Sequence, residues 1–457
     1  MVKSERFSRR SMLKSAAASA GAAAAVSQGL TRTFAQAATP AATAPLSGAI
    51  TVSYPDQAGL KPKYVAQAAD NVQKDNPGAK VTVDLENLGD DDYYTKLLLA
   101  LDSGSGPDVF HIGGGSAGEL SDAGYLEPLD AYLAAWPDWA QYYPASVQSS
   151  VQYKGKTWCI PYGLDTRFLY YRKDVFQKAG LPADWQPANV AGILEAANAI
   201  KKNDPNVLPY ALYGGQAGSS GTADHAFVPL VWAFGGEMIN QDGKWIGNSA
   251  AIRKAFDYYV QVFQTDKLVG QEILTTTKPW TAMREKLGNG GLGILFEGGW
   301  VYGGWQSKDK AGTEANVGYL LFPTETGGPS FTIGGPGTCW YVNAASKNKE
   351  LAFAFIKAFN TKDIVSALNA EDPHPVARTD AAQTPAFQSQ PFLLDATKSL
   401  ASARFIPPDP NYGKVITAVQ TVTGLVADGE LNAADGAKRY AEELQSALGN
   451  DLVVTEA

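Results

Sequence analysis

Hydrophobic and polar positions follow two different periods along the first part of the chain. Apolar and polar residues alternate over 81–85, which predicts a strand, and the apolar runs 49–54 and 107–112 predict two more. Apolar residues recur at helical spacing over 64–72 and 94–101, between those strands. A β-α-β-α-β order of this kind predicts an α/β protein with a parallel sheet covered by helices on both faces.

The carboxyl ends of these predicted strands are the first candidate binding positions. Ligands of open parallel sheets bind beyond the carboxyl ends of the strands. Those ends fall at Tyr54–Gln57, Asn87–Asp92 and Gly113–Ser116.

The rest of the chain alternates less regularly. A mainly helical region is predicted from 130 to 310, and the segment 155–181 interrupts it as strand, loop and strand. Further strands are predicted at 294–296 and 339–346, and the last strong helix is predicted over 431–448, before Gly449.

The first 37 residues have the three parts of an export signal. A basic head with Arg9 and Arg10 precedes the Ala/Gly-rich stretch 15–27 and an Ala-Gln-Ala site at 35–37. The paired arginines resemble a twin-arginine signal. We predict cleavage after Ala37, a linker over 38–47, no lipid-anchor cysteine and a periplasmic location; the alternative is a disordered basic tail.

Charge and metal-ligand residues exclude several classes of function. The chain has a net charge of −8, and its N-terminal signal is basic, so the remainder is more acidic and a poor partner for nucleic acid or anionic lipid. The three histidines and two cysteines are scattered, so we predict no metal and no cofactor. Whether Cys159 and Cys339 pair after export stays open.

Two glycine motifs suggest other chemistry. Gly288–Gly293 matches G-x-G-x-x-G, but a predicted helix precedes it and a strand follows, which is the reverse of a dinucleotide-binding loop. Gly114–Gly118 matches G-x-S-x-G, so a secreted serine hydrolase using Ser116 is an alternative. Its partners would be Asp165 or Asp224 with His225 or His374.

Aromatic residues are concentrated where hydrogen-bonding side chains also occur. The chain has 10 Trp, 21 Tyr and 18 Phe, most of which belong to the core by default. The segment 155–181 combines Tyr162 with Asp165 and Arg167 at a strand–loop–strand junction. Flat apolar faces beside polar groups suit a sugar ring.

Several segments together resemble a known family. They include 103–133, 153–181, the FGGEMIN and GGW motifs, and VNAASKNKELAFAFIKAF, in the expected order. The chain is similar, from residue 48 onward, to the extracellular solute-binding proteins of bacterial ABC importers, in the sugar-binding group that includes maltose-binding protein. The resemblance implies a two-lobed periplasmic-binding-protein fold of type II, with discontinuous lobes joined by a hinge and ligand between them.

The resemblance also implies positions for ligand contacts. Asp165 matches an acidic sugar contact and Trp300 a stacking aromatic, whereas a loop cap for Asp165 and a core role for Trp300 remain alternatives. Tyr412 falls near a second stacking position. The other expected contacts are Tyr54, Asp56 and Gln57 after the first strand, Gly114 and Ser116 after the third, and Tyr162, Arg167, Trp232 and Gly335.

The implied organisation divides the chain between two lobes. One contains 48–127 and about 332–373, and the other contains 128–331 and about 374–457. The expected function is capture of a carbohydrate, without catalysis, by a monomer that delivers it to a membrane permease. A polyol or a sugar phosphate is the alternative ligand.

Overall fold

The computed structural model describes residues 44–456 except 58, 143–147, 149 and 407, with the backbone alone at 91. The predicted signal at 1–37 and most of the predicted linker lie outside the described residues. The unit Pro45–Ala457 contains every element described below.

The strands are short, and the first three appear where the hydrophobic pattern predicts them. In chain order they are β1 (Ser47–Pro55), β2 (Gly78–Glu86), β3 (Val109–Gly113), β4 (Gln152–Tyr153), β5 (Lys156–Thr157), β6 (Cys159–Asp165), β7 (Arg167–Arg172), β8 (Leu208–Ala211), β9 (Trp245–Asn248), β10 (Leu292–Gly298), β11 (Val317–Leu320), β12 (Thr332–Val342), β13 (Ala403–Phe405) and β14 (Val453–Thr455).

Helices occupy most of the remaining chain. The α-helices of the described residues span Pro62–Asp75, Asp90–Asp102, Ala117–Asp122, Asp130–Ala134, Lys173–Lys178, Ala191–Asn203, Val228–Ala233, Ala250–Tyr259, Glu272–Thr275, Pro279–Gly288, Trp300–Lys308, Lys310–Asn316, Lys349–Phe359, Lys362–Glu371, Pro385–Gln388, Pro391–Ser399, Tyr412–Ala427 and Ala433–Leu448. π-helical turns occur at Ala223–Phe227 and Val260–Thr265.

The first sheet has the strand order β13-β12-β3-β1-β2, and β6 also pairs with β12. β1 is parallel to β2 and β3, whereas β12 is antiparallel to β3 and β6. The carboxyl ends of β1, β3 and β6 and the amino-terminal half of β12 therefore lie along one edge of the sheet.

The second sheet has the order β11-β7-β10-β8. β7 is antiparallel to β10 and β11, and β10 is parallel to β8. Arg167, the first residue of β7, is therefore opposite Gly298 at the carboxyl end of β10.

The chain passes from the first sheet to the second through a single residue, Thr166, between β6 and β7. It returns through 321–331, between β11 and β12. The hydroxyl of Thr332 accepts from Arg167 N and donates to Arg167 O, both at 2.8 Å, so the two passages are hydrogen-bonded side by side.

This topology differs from the expected division at 127/128. β6 pairs with β12 in the first sheet, although 128–331 was assigned to the other lobe. β13 also pairs with β12, although 374–457 was assigned there as well. The local pattern predicts that these segments are strands, but it does not identify the distant strand that each one pairs with.

Both cysteines are buried in the first sheet and are free thiols in this structure. Cys159 lies opposite Tyr341, and Cys339 lies opposite Pro161, on adjacent antiparallel strands. The two side chains therefore point to the same face of the sheet, in diagonal positions.

Candidate functional site

The candidate site lies where the two sheets meet. Asp165 ends β6, Arg167 begins β7, and Gly335 in β12 is opposite Asp165 in the register of the first sheet. The Thr166 carbonyl accepts from Gly299 N at 2.8 Å, which fixes the start of the helix Trp300–Lys308 beside this passage. Backbone hydrogen bonds thus bring residues from both sheets to one place.

Trp300 is the aromatic centre of this cluster. It is partly exposed, and its indole lies against Gly298, where a Cβ would be 2.3 Å from the ring. Only glycine allows that approach. The His374 ring is stacked on the indole, with centroids 5.8 Å apart and planes 12° apart. The Arg167 guanidinium carbon lies 5.6 Å from the ring centroid, within the range of a cation–π contact.

Asp165 and Arg167 form a loose pair beside the indole. Arg167 Nη2 is 4.0 Å from Asp165 Oδ2, and Nη1 donates to the Ile333 carbonyl at 3.4 Å. The Asp165 side chain is 24% exposed, so its carboxylate can accept hydrogen bonds from a bound molecule. The pair offers a strong acceptor and a strong donor next to a flat apolar surface.

The contacts of Tyr412 differ from the expected stacking on a ligand. Its hydroxyl donates to Asp224 Oδ1, and its ring is stacked against Trp245 with centroids 6.0 Å apart. Burial and the negative charge of Asp224 raise the pKa of Tyr412 well above its usual value, against the opposing effect of the nearby Arg167 charge. Tyr412 therefore stays protonated and donates to Asp224.

A buried carboxylate, that of Glu297, lies just before the helix Trp300–Lys308 in the chain. Glu297 precedes Gly298 in β10 and accepts from Arg284 Nε at 2.9 Å, Tyr213 Oη at 3.1 Å and Gly298 N at 2.7 Å. His225 Nδ1 is 2.9 Å from Glu297 Oε1, the oxygen that also accepts from Gly298 N. Burial raises the pKa of Glu297, but attraction to His225 and Arg284 outweighs burial, so the pKa lies well below its usual value.

The structure brings some of the predicted contacts together. Asp165, Arg167, Trp300 and Gly335 form one cluster, and Tyr412 is near it through Asp224 on the π-helical turn.

The loops that follow the strands of the first sheet contribute fewer polar groups that could contact a ligand. Asp56 accepts from the backbone N–H groups of Gly59 and Lys61 and closes its own loop, whereas Gln57 is exposed. Gly114 is buried against Pro336, and Ser116 is partly exposed at the end of a short 3₁₀ turn.

Three predicted contacts lie in the hydrophobic core instead. Tyr54 packs edge-on against Trp340, and burial, with a smaller effect of the Asp56 charge, raises its pKa to about 12. Tyr162 is buried with its hydroxyl 2.7 Å from His111 Nε2. Trp232 is buried beneath the Arg404 guanidinium, 4.4 Å from the ring. These three side chains are therefore part of the core and are not among the proposed ligand contacts.

Sequence reasoning missed the partners that orient the cluster. The sequence motifs suggest His374, His225 and Asp224 only as members of a catalytic triad, and they do not indicate Glu297. One signal was available for Glu297, because it is a charged residue in an otherwise apolar strand. Nothing local indicates that His374 stacks on Trp300.

A surface depression of about 530 Å³ lies elsewhere, between Glu127, Tyr132, Lys156 and Phe353. None of the predicted contacts lines it. We place the candidate site at the sheet junction because polar and aromatic side chains from both sheets converge there.

Residues 54–365 match the family model described as bacterial extracellular solute-binding protein. The chain belongs to this family. As a solute-binding protein it has the two-lobed α/β fold with a hinge that the resemblance implied.

Individual relatives are distant. A maltotriose-binding protein from Pyrococcus abyssi is 22% identical over 375 residues, which are 79% of this chain and 73% of that protein. A solute-binding protein of an ABC transporter from Thermotoga lettingae, solved with α-D-tagatose, has a TM-score of 0.75 at 23% identity and covers 88% of this chain and 100% of its own. Maltose-bound MalE3 of T. maritima has a TM-score of 0.74 at 21% identity, with the same coverage of both chains.

Among the residues that the structure describes, none of the helices has the length and apolar character needed to cross a membrane.

Proposed function

We propose that this solute-binding protein captures a carbohydrate between its two lobes and delivers it to the permease of an ABC importer. The observation that carries the proposal is the partly exposed Trp300 indole with Asp165 and Arg167 beside it, at the junction of the sheets. The sugar-binding relatives above support the same substrate class.

Each group has a defined part in binding. The indole stacks on the apolar C–H face of a sugar ring, Asp165 accepts from hydroxyl groups, and Arg167 donates. Gly335 leaves the backbone accessible beside Asp165. Exclusion of water on lobe closure strengthens these hydrogen bonds.

A thermal-shift screen tests this function directly. Ligand at a concentration of 100 times Kd stabilises the folded state by about 2.7 kcal/mol, which raises Tm by a few degrees. We expect such a shift from at least one mono- or oligosaccharide. If polyols or sugar phosphates shift Tm and sugars do not, the ligand class is one of the alternatives; no shift with any of them contradicts the proposal.

We propose that binding involves no catalysis. Each histidine is engaged elsewhere: His111 with Tyr162, His225 with Glu297 and His374 with the Asp372 carbonyl. A fluorophosphonate probe should therefore leave Ser116 unlabelled. Labelling at Ser116 would favour the secreted hydrolase instead.

We also propose that the protein is exported to the periplasm through the twin-arginine route. We propose that it is a monomer there. The paired Arg9 and Arg10 support this route. Replacing both with Lys should leave full-length precursor in the cytoplasm. Normal processing of that double variant would exclude the route without affecting the proposed ligand.

A further inference from the structure

The Arg167 guanidinium is buried without the partners that a buried cation needs. Its side chain is 10% exposed, its Nη1 bond to the Ile333 carbonyl is long at 3.4 Å, and Nη2 is 4.0 Å from Asp165. Nε is buried and has no partner among the described residues. A guanidinium has five N–H donors, and leaving buried charged donors unpaired is costly. A bound group could supply the missing acceptors.

Two other buried arginines of the same chain show what is missing. Arg172, 9% exposed, donates from Nε and Nη2 to the two oxygens of Asp174, both at 2.8 Å. Arg378, 4% exposed, donates in the same way to Asp380 at 2.9 and 2.7 Å. In both, the Nε–Nη2 edge holds a carboxylate in a bidentate pair. At Arg167 none of the described residues forms such a pair with that edge.

The neighbouring acids do not fill this edge. Glu297 is saturated by Arg284, Tyr213 and the Gly298 N–H group. Asp224 accepts from Tyr412. Asp165 lies at the end of β6, too far for a hydrogen bond, and is partly exposed. Its carboxylate is placed for sugar hydroxyls, whereas the free edge of Arg167 suits an anion.

We infer, on the basis of the function proposed above, that the ligand is an acidic sugar whose carboxylate binds the Nε–Nη2 edge of Arg167. The guanidinium carbon is 5.6 Å from the Trp300 ring centroid. A uronic acid carries its carboxylate directly on the sugar ring, so one molecule can stack on the indole and reach this edge. Lobe closure then buries the ion pair.

Isothermal titration calorimetry with matched sugars tests the inference. D-Galacturonate and D-glucuronate are compared with D-galactose and D-glucose, each as a monosaccharide and as a disaccharide. We expect the acidic member of at least one pair to bind roughly tenfold tighter or more, as a charge-assisted bidentate contact provides. Arg167→Gln should remove that preference, so that the acidic and the neutral member of each pair bind with similar affinity.

Two further variants separate the contact from general charge. Arg167→Lys keeps the charge but lacks the planar edge, so it should lose most of the preference for acidic sugars. It replaces Arg167→Gln in the test if the Gln variant does not fold. Arg439→Gln removes the same charge from the exposed face of the helix Ala433–Leu448 and should bind like the unmodified protein.

The outcomes are distinguishable. Equal or weaker binding of the acidic sugars by the unmodified protein overturns the inference and leaves the proposed function in place. An equal loss of affinity for acidic and neutral sugars in Arg167→Gln also overturns the inference and leaves the proposed function in place. Failure of every sugar to bind contradicts the proposed function itself.

Discussion

Two tryptophans that both follow glycine-containing strand segments have opposite environments. Trp340 is 0% exposed and packs edge-on against Phe355 and Phe359 in the first sheet. Trp300 is partly exposed at the start of a helix, with the His374 ring stacked on it and the Arg167 guanidinium carbon 5.6 Å from its ring centroid. For Trp300 the sequence alone left core and site as alternatives, because the adjacent Gly299 permits either.

Substitution of these two tryptophans should separate stability from binding. Trp340→Ala removes a fully buried side chain and should lower the free energy of unfolding by about 3–5 kcal/mol. Trp300→Ala should lower the free energy of unfolding much less, but it should remove most of the sugar affinity. Denaturant unfolding and calorimetry measure the two effects. A Trp300→Ala variant that is strongly destabilised but binds normally would show that Trp300 belongs to the core.

The buried His111 should make stability depend on pH. Burial lowers its pKa well below 6.5, so the folded state keeps it neutral while the unfolded chain takes up a proton below that pH. Stability is therefore fully present above pH 6.5 and is lost as pH falls, by up to about 1.4 kcal/mol per pH unit for this one group. His111→Gln should show a smaller loss between pH 7 and pH 5 in urea unfolding. Identical pH profiles would contradict this assignment.

At the scale of elements, the two chain segments that connect the sheets are hydrogen-bonded to each other through the hydroxyl of Thr332. Thr332 is buried and satisfies both the N–H and the C=O of Arg167. Losing the hydroxyl removes an acceptor from the Arg167 N–H group and a donor from its carbonyl, and lost hydrogen bonds inside a protein are costly.

Thr332→Val should therefore destabilise the protein by about 1–3 kcal/mol, although the two side chains have nearly the same shape. Because the same bonds position Arg167, sugar affinity should fall as well. Thr421→Val is the control, since that hydroxyl bonds only to a carbonyl of its own helix at an exposed position, and its effect should be within about 0.5 kcal/mol. Equal effects of the two substitutions would exclude a special role for Thr332.

The elements show what the sequence could and could not predict. Strands at 49–54 and 107–112 and the helices between them followed from hydrophobic period, because local burial determines that period. The placement of β6 in the first sheet depends on pairing with β12, which no local pattern encodes. The site shows the same limit. Asp165 and Arg167 were found within one motif, but the stacking of His374 on Trp300 requires the folded chain.

At the scale of the molecule, the two sheets share one hydrophobic core. A single cluster of buried side chains includes Val52 of β1, Trp340 of β12 and Leu295 of β10, which belong to different sheets. The two lobes are therefore coupled by packing as well as by the passages at Thr166 and 321–331.

This coupling predicts that the two lobes unfold together. Multidomain proteins commonly unfold in several steps, but a shared core makes the loss of one lobe expose the apolar surface of the other. We expect one calorimetric transition in which the van't Hoff and calorimetric enthalpies agree. A saturating sugar ligand should move the whole transition upward, because it binds only when residues of both sheets are in place. Two transitions, with only one shifted by the ligand, would show that the lobes fold independently and that the site belongs mainly to one of them.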